Sequence, residues 1–188
     1  MNEKLPTDLV IDIETLSVNT NEAPVVLTIG AVTFNKNGLC SEFKEIVNLE
    51  DSLKRGDHID SETLYWWLNQ PEEARLSLGI LPEDSVKRYP LYIVITMLEL
   101  FIQREFEHIP KEYRVWANSP MFDLAVIRKH KGSDTVWGFR QERDYRTLRD
   151  MVGVEPENAL PSHDCLNDCK NQAQHIIKYY LNKETNNV

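Results

Sequence analysis

The stretch Asp8-Leu9-Val10-Ile11-Asp12-Ile13-Glu14 decides how the chain is read. It carries apolar residues on both faces, as a strand covered on both sides does. Two carboxylates interrupt it, Asp12 and Glu14. Side chains alternate along a strand, so both acids leave from one face, about 7 Å apart. Burying an ionised carboxylate without a partner costs several kcal/mol, and two on one face also repel each other. No Lys or Arg lies close in sequence. A divalent cation is then the economical partner, because hard cations such as Mg²⁺ take carboxylate oxygen. The alternative is a strand end emerging into solvent with both acids hydrated. The same Asp-x-Glu spacing recurs at Asp60-Ser61-Glu62, where Asp60 reads as a helix cap and Glu62 as a first-turn acid.

Outward from this strand, Pro24-Val25-Val26-Leu27-Thr28-Ile29-Gly30-Ala31-Val32-Thr33-Phe34 is rich in β-branched residues and reads as a second strand. Asn35-Lys36-Asn37-Gly38 is a turn, and Leu39 to Val47 a third strand that completes a meander. Asp60-Ser61 caps a helix carrying Leu64, Tyr65, Trp66, Trp67 and Leu68, and a short helix follows Pro71. Tyr92 to Phe106 has helical spacing of Val94, Leu98, Phe101 and Ile102. Tyr113 to Ala117 is a short strand, and Ser119-Pro120 opens a helix through Lys129. Tyr145 to Val152 and Ser162 to Leu181 are the last helices. The pattern predicts an α/β fold with a mixed sheet, an antiparallel meander of three strands plus parallel strands, flanked by helices.

A chain of 188 residues with no repeat or linker fits one domain, residues 1–188 with a core from about 8 to 182. An apolar fraction of 41% and a charged fraction of 27% suit a globular protein, and 7 Gly with 9 Pro exclude collagen-like sequence. No apolar run approaches the ~18–20 residues that span a bilayer, so no membrane partner is expected. The N-terminal Met1-Asn2-Glu3-Lys4-Leu5-Pro6 lacks an apolar signal segment, and 3 cysteines make no disulfide framework. A reducing cytoplasm is the expected location. The net charge of −9 argues against a broad basic surface that coats nucleic acid, but not against gripping a short stretch of it with bound cations.

Further candidates lie later in the chain. Asp123 sits in the first turn of a helix directly after a strand, at the sheet edge where α/β proteins bind ligands; a surface acid that compensates the helix dipole is the other reading. The last helix has an apolar stripe of Cys165, Leu166, Cys169, Ala173, Ile176, Ile177 and Tyr180, with Asp168 just outside one edge. His163 is about 140° around from Asp168, so the two would not share a helix face. That places His163 in a loop or first turn, free to approach a substrate. A free histidine titrates near about 6.5, suited to a general base; an exposed histidine at a helix end is the plain alternative. Trp66 and Trp67 point about 100° apart, so one enters the core and the other either packs at an interface or stacks on a base. Arg128-Lys129-His130-Lys131 and Arg140, Arg143, Arg146 and Arg149 form basic clusters, read equally as solvated faces with structural pairs. Cys165 and Cys169, near His163 and His175, lie on the apolar stripe without a second cysteine pair, which favours core packing over zinc.

Asp12 with Glu14, then Asp123, then His163 with Asp168 resemble the three motifs of the DEDDh branch of the DnaQ-like 3′–5′ exonucleases. His163 and Asp168 form the only His-x4-Asp in the chain, and the motifs stand in family order. Thr63-Leu64-Tyr65-Trp66-Trp67-Leu68-Asn69-Gln70, Arg143-Asp144-Tyr145-Arg146-Thr147 and His163-Asp164-Cys165 are similar to segments of the phage-type exonuclease A group. Pro120 and Met121 depart from that group, which often has Ser directly before Phe-Asp. The resemblance implies a ribonuclease H-like fold and two Mg²⁺ ions about 4 Å apart, with Mn²⁺ able to substitute. It implies Asp12 bridging both ions, Glu14 and Asp168 on the ion that binds the attacking water, Asp123 on the second, and His163 as general base. It further implies a 3′ end of single-stranded DNA or RNA as partner and nucleoside 5′-monophosphates as product. Thr15, Leu16, Trp66 and Phe122 would contact the terminal nucleotide, and a homodimer could use Tyr65, Trp66 or Trp67. The rival expectations are a catalytically silent module of the same fold that binds nucleic-acid ends or a protein, and an acidic interaction protein whose carboxylates coincide by chance.

Overall fold

The β-branched runs pair as a hairpin around Lys36 and Asn37, where Asn35 faces Gly38 across a two-residue turn. In the computed structural model, which describes residues 5–79, 85–109, 112–132, 134–153 and 162–185, β1 (Asp8–Thr15) pairs antiparallel with β2 (Val26–Asn35), and β2 with β3 (Gly38–Ile46). On the other edge β4 (Arg114–Ala117) joins β1 in parallel and β5 (Glu142–Asp144) joins β4, giving the order β3-β2-β1-β4-β5. The first strand is thus central, as its apolar faces require. Residues 1–4 of the N-terminal reading lie outside the described residues.

Alternation along β1 divides the interior. Leu9, Ile11 and Ile13 enter one cluster with Val94, Leu98 and Phe101 of α4 (Leu91–Glu105) and with Leu124 and Ile127 of α5 (Asp123–Lys131). Val10 enters a second, with Val32, Phe34, Trp116, Tyr145 of α6 (Tyr145–Val152) and Cys169, Ala173 and Ile176 of α7 (Cys165–Thr185). A third holds Leu16, Val25, Leu27, Trp67, Ala74 and Leu78, contributed in part by the short helices Ser61–Leu68 and Glu72–Ser77. Among the described residues no helix is long and apolar enough to cross a membrane.

Several boundaries differ from expectation for identifiable reasons. A helix at Leu49–Arg55 was not anticipated, although the side chain of Asn48 caps it and Gly56, at φ 81°, ends it. Ser119-Pro120 does not open α5. The backbone N–H groups of Phe122 and Asp123 both donate to the Ser119 carbonyl (2.8 and 2.9 Å), so a turn intervenes and the helix starts at Asp123. The last helix starts at Cys165, not Ser162, because the Asp164 carboxylate accepts from the N–H groups of Leu166 and Asn167 (3.0 and 3.1 Å) and acts as its cap. Strand β5 is three residues long and charged, too short for alternation to reveal it.

One glycine sets how closely α7 lies on the sheet. Gly30 stands opposite Asp12 on one side and Lys44 on the other. A Cβ there would come within 2.6 Å of the Cys165 carbonyl carbon and 2.9 Å of the Leu166 nitrogen. Backbone cannot yield as a flexible side chain does, so Gly30→Ala must push the first turn of α7 outward. We expect it to cost about 1–3 kcal/mol of stability, read from denaturant unfolding; an unchanged midpoint would show that the helix has room to spare.

Candidate active site

The residues that share a face with Val10 on β1 are Asp8, Asp12 and Glu14, and α7 covers that face in the reverse sense. Tyr180 donates to Asp8 Oδ1 (3.0 Å), Gln172 reaches Asp12 (3.4 Å), and Asp168 with His163 meets Glu14. Asp8 is fully buried and fully partnered. It receives two 2.6 Å bonds from the Arg114 guanidinium, one from Trp116 Nε1 (2.8 Å) and one from the Thr7 hydroxyl (2.7 Å). At the far end of the same face, no arginine or lysine forms an ion pair with Asp12 or Glu14 among the described residues.

The electrostatics record that difference. The carboxyl of Asp12 is held well above the usual carboxylate range, first by burial and then by the charges of Asp123, Glu14 and Asp168. Glu14 is pushed up to about 8 by burial and by Asp168, Asp123 and Asp164, with Lys44 opposing. Burial raises Asp123 to about 6 against backbone hydrogen bonds and the positive charge of Arg146. Asp123 is buried and accepts from the Ser119 N–H at 3.1 Å, so the intervening turn aims it back at the sheet edge. Glu14, Asp123 and Asp168 therefore all lie close enough to Asp12 to disfavour its charge.

His163 and Asp168 come together by a route that helical geometry alone does not give. His163 precedes the helix and has φ 53°, a left-handed conformation that non-glycine residues rarely adopt. The chain doubles back there, and ligand atoms of Glu14, His163 and Asp168 all lie within 4.8 Å of one another. Asp168 accepts from Ser162 N (2.8 Å), Ser162 Oγ (2.9 Å) and His163 N (3.2 Å). The histidine is gripped rather than loose. Its carbonyl accepts from Ser77 Oγ at 3.0 Å, and its ring meets Trp66 edge to face at 4.7 Å between centroids. Asp164 next to it is tied to Lys44 at 2.7 Å, across the gap left by Gly30. A cleft of about 560 Å³, with Gln70, Ser77 and Asn167 in its wall, opens beside His163.

The two tryptophans separate as the helix geometry requires. Trp67 is buried and donates Nε1–H to the Thr15 carbonyl (2.9 Å), which removes it from any dimer interface, whereas Trp66 stays 43% exposed. Thr15 and Leu16 are buried, Thr15 donating its hydroxyl to the Ser17 carbonyl (2.8 Å) and Leu16 packing with Trp67. Phe122 packs on the main core at the start of α5. Much of the basic clusters is engaged structurally: Arg128 with Glu142, Lys131 with Glu99, Lys129 with the carbonyls of Thr20 and Asn21. Cys165 and Cys169 are buried free thiols, raised by burial, as core packing predicts. Gln172, Lys44, Ser162 and Arg146 were not singled out as site residues from sequence; for Gln172 the available signal was its place one helical turn after Asp168.

This donor set, four converging carboxylates and an imidazole, fits a hard divalent cation. A family model described as the 3′–5′ exoribonuclease Rv2179c-like domain matches residues 7–180. The chain belongs to this family. No curated protein matches it. Among solved structures, a product-bound structure of exonuclease I aligns with a TM-score of 0.52 at 14% identity, over 81% of this chain and 33% of that one. The chain of this Rv2179c-like family member thus spans about a third of that protein, and the likeness shows the fold, a ribonuclease H-like mixed sheet flanked by helices. Family and fold both agree with the DnaQ-like exonuclease resemblance of the motifs.

The raised carboxyls fix the sign of a pH dependence. With Asp12, Glu14 and Asp123 above their unfolded values, these three carboxyls hold more protons in the native state from about 4.5 to about 8, against the single imidazole of His130, which burial shifts the opposite way. Stability without metal must then fall as pH rises through that window. Melting in EDTA is expected to occur at lower temperature near pH 8 than near pH 5, with the slope reduced in Asp12→Asn.

Proposed function

We propose that this chain is a metal-dependent 3′–5′ exonuclease that removes nucleoside 5′-monophosphates from single-stranded nucleic acid, through a unit spanning residues of about 8 to 182. The observation that carries this reading is the gathering of Glu14, Asp123 and Asp168 around the buried Asp12, with no arginine or lysine ion-paired to Asp12 or Glu14 among the described residues. The description of the family as 3′–5′ exoribonucleases favours RNA as substrate. In this reading the four carboxylates hold two divalent cations, Mg²⁺ with Mn²⁺ as substitute. When bound, such ions stabilise the attacking and leaving oxygens of an in-line displacement at phosphorus.

The chain's own residues supply the rest. His163 accepts the proton of the attacking water at an imidazole nitrogen, and the edge-on contact with Trp66 fixes the plane of the ring. Asp168 holds the turn that carries His163 by accepting its backbone N–H. The exposed part of Trp66 offers a face to a terminal base, an interaction worth ~1–3 kcal/mol, while Phe122 flanks Asp123. Thr15 and Leu16 act through the packing that seats Trp67 beneath this surface.

Incubating the full chain with 3′-labelled single-stranded RNA and DNA in parallel is expected to release 5′-mononucleotides, faster from RNA, and EDTA is expected to stop it. Asp12→Ala should lower kcat by on the order of 10³-fold while raising the melting temperature without metal, because a buried repulsion is removed. His163→Ala should lose about 10²–10⁴-fold in kcat. Mononucleotide release that survives EDTA, or full turnover by Asp12→Ala, would refute the assignment.

A further inference from the structure

Gln172 is a buried polar residue that neither the fold nor the site described above explains. It sits on α7 one turn beyond Asp168 and is only 7% exposed. Its neighbours in the helix, Cys169, Ala173 and Ile176, belong to the apolar cluster that packs on Val10, where a leucine or methionine would serve packing as well. Its Nε2 lies 3.4 Å from Asp12 Oδ1, the one hydrogen bond made to that carboxylate among the described residues. Its Oε1 is buried and has no partner, one of two such side-chain atoms among those described. Once a bound cation holds Asp12 ionised, that carboxylate only accepts, so the NH₂ half of the amide must face Asp12 and the oxygen must turn away from it. Buried amide oxygens are rarely left without a donor.

We propose that Gln172 is a positioning residue for cation binding: its amide N–H orients Asp12, and its amide oxygen receives a donor that arrives with a hydrated divalent cation. The inference rests on the metal-dependent reading of the site. Hard cations bound by few carboxylates keep several waters, and those waters present hydrogens outward. Groups that hydrogen-bond to a ligand or its waters typically change metal affinity by about 10- to 100-fold. A single amide beside Asp12 has both of the complementary atoms, a donor for the ligand and an acceptor for the water. The unsatisfied oxygen is then a feature of the protein before the cation arrives, not a packing fault.

The test uses the full chain with Gln172→Met and, to guard against a packing defect peculiar to one side chain, Gln172→Leu. Mn²⁺ binding is measured by isothermal titration calorimetry without nucleic acid, alongside melting in EDTA and kcat and KM on a 3′-labelled oligonucleotide. The expected result is a Kd for Mn²⁺ raised about 10- to 100-fold, with metal-free melting unchanged or higher. At limiting Mn²⁺, kcat falls while KM for the oligonucleotide holds. A Kd within about twofold of the parent in both variants overturns the proposal and leaves Gln172 a structural residue. Asp12→Ala separates the two levels. If the parent binds Mn²⁺ and Asp12→Ala does not, the site reading stands and the Gln172 variants alone judge the positioning role. If the parent binds no Mn²⁺, both fall.

Discussion

The crowding of Glu14, Asp123 and Asp168 around the buried carboxyl of Asp12 is the constraint around which this molecule is organised. A parallel-edged sheet buries its central strand on both faces, yet this one gives three of the four positions on one face to acids. The fold tolerates Asp8 by surrounding it with Arg114, Trp116, Tyr180 and Thr7. It provides no such set for Asp12 and Glu14. The contrast lies within seven residues of one strand, so it reflects what α7 and β4 bring to each end rather than composition. A chain with net charge −9 can still engage a polyanion at such a place if the local charge is reversed by bound cations.

Helix α7 carries this organisation. Its apolar stripe packs it on the sheet, and Gly30 removes the side chain that would hold its first turn away. Lys44 and Asp12 flank that gap on the two neighbouring strands. Lys44 secures Asp164, which in turn caps the helix. The strand register thereby fixes where the helix begins, and the start of the helix fixes where His163 turns back toward Glu14. Structural and chemical demands meet in the same few residues.

Much of this was legible in sequence because it depends on local periodicity. The central strand and its two carboxylates follow from alternation, the meander from β-branched runs and a turn, and the division of labour between Trp66 and Trp67 from helical angles. What was not legible depends on contacts between distant segments. The rescue of Asp8 needs Arg114 and Tyr180, more than a hundred residues away. The three-residue β5 is too short to have a period, and Ser119-Pro120 signals a helix start while backbone hydrogen bonds to Ser119 select a turn. Helical-wheel geometry set His163 off the face of Asp168 and so in a loop or first turn, and the residue does precede the helix; the left-handed conformation that brings it back to Asp168 had no local signal.

The pairing of Asp8 with Tyr180 and Arg114 has a consequence for how ligand binding is felt by the rest of the molecule. The seam between β1 and α7 is fastened at one extremity by neutralised charge and left under tension at the other. A ligand that relieves the tension does not have to recruit the helix from solution, because its distal half is already docked. It need only settle the opening turn, so little ordering entropy is lost on binding and the resulting stiffening stays local to that end.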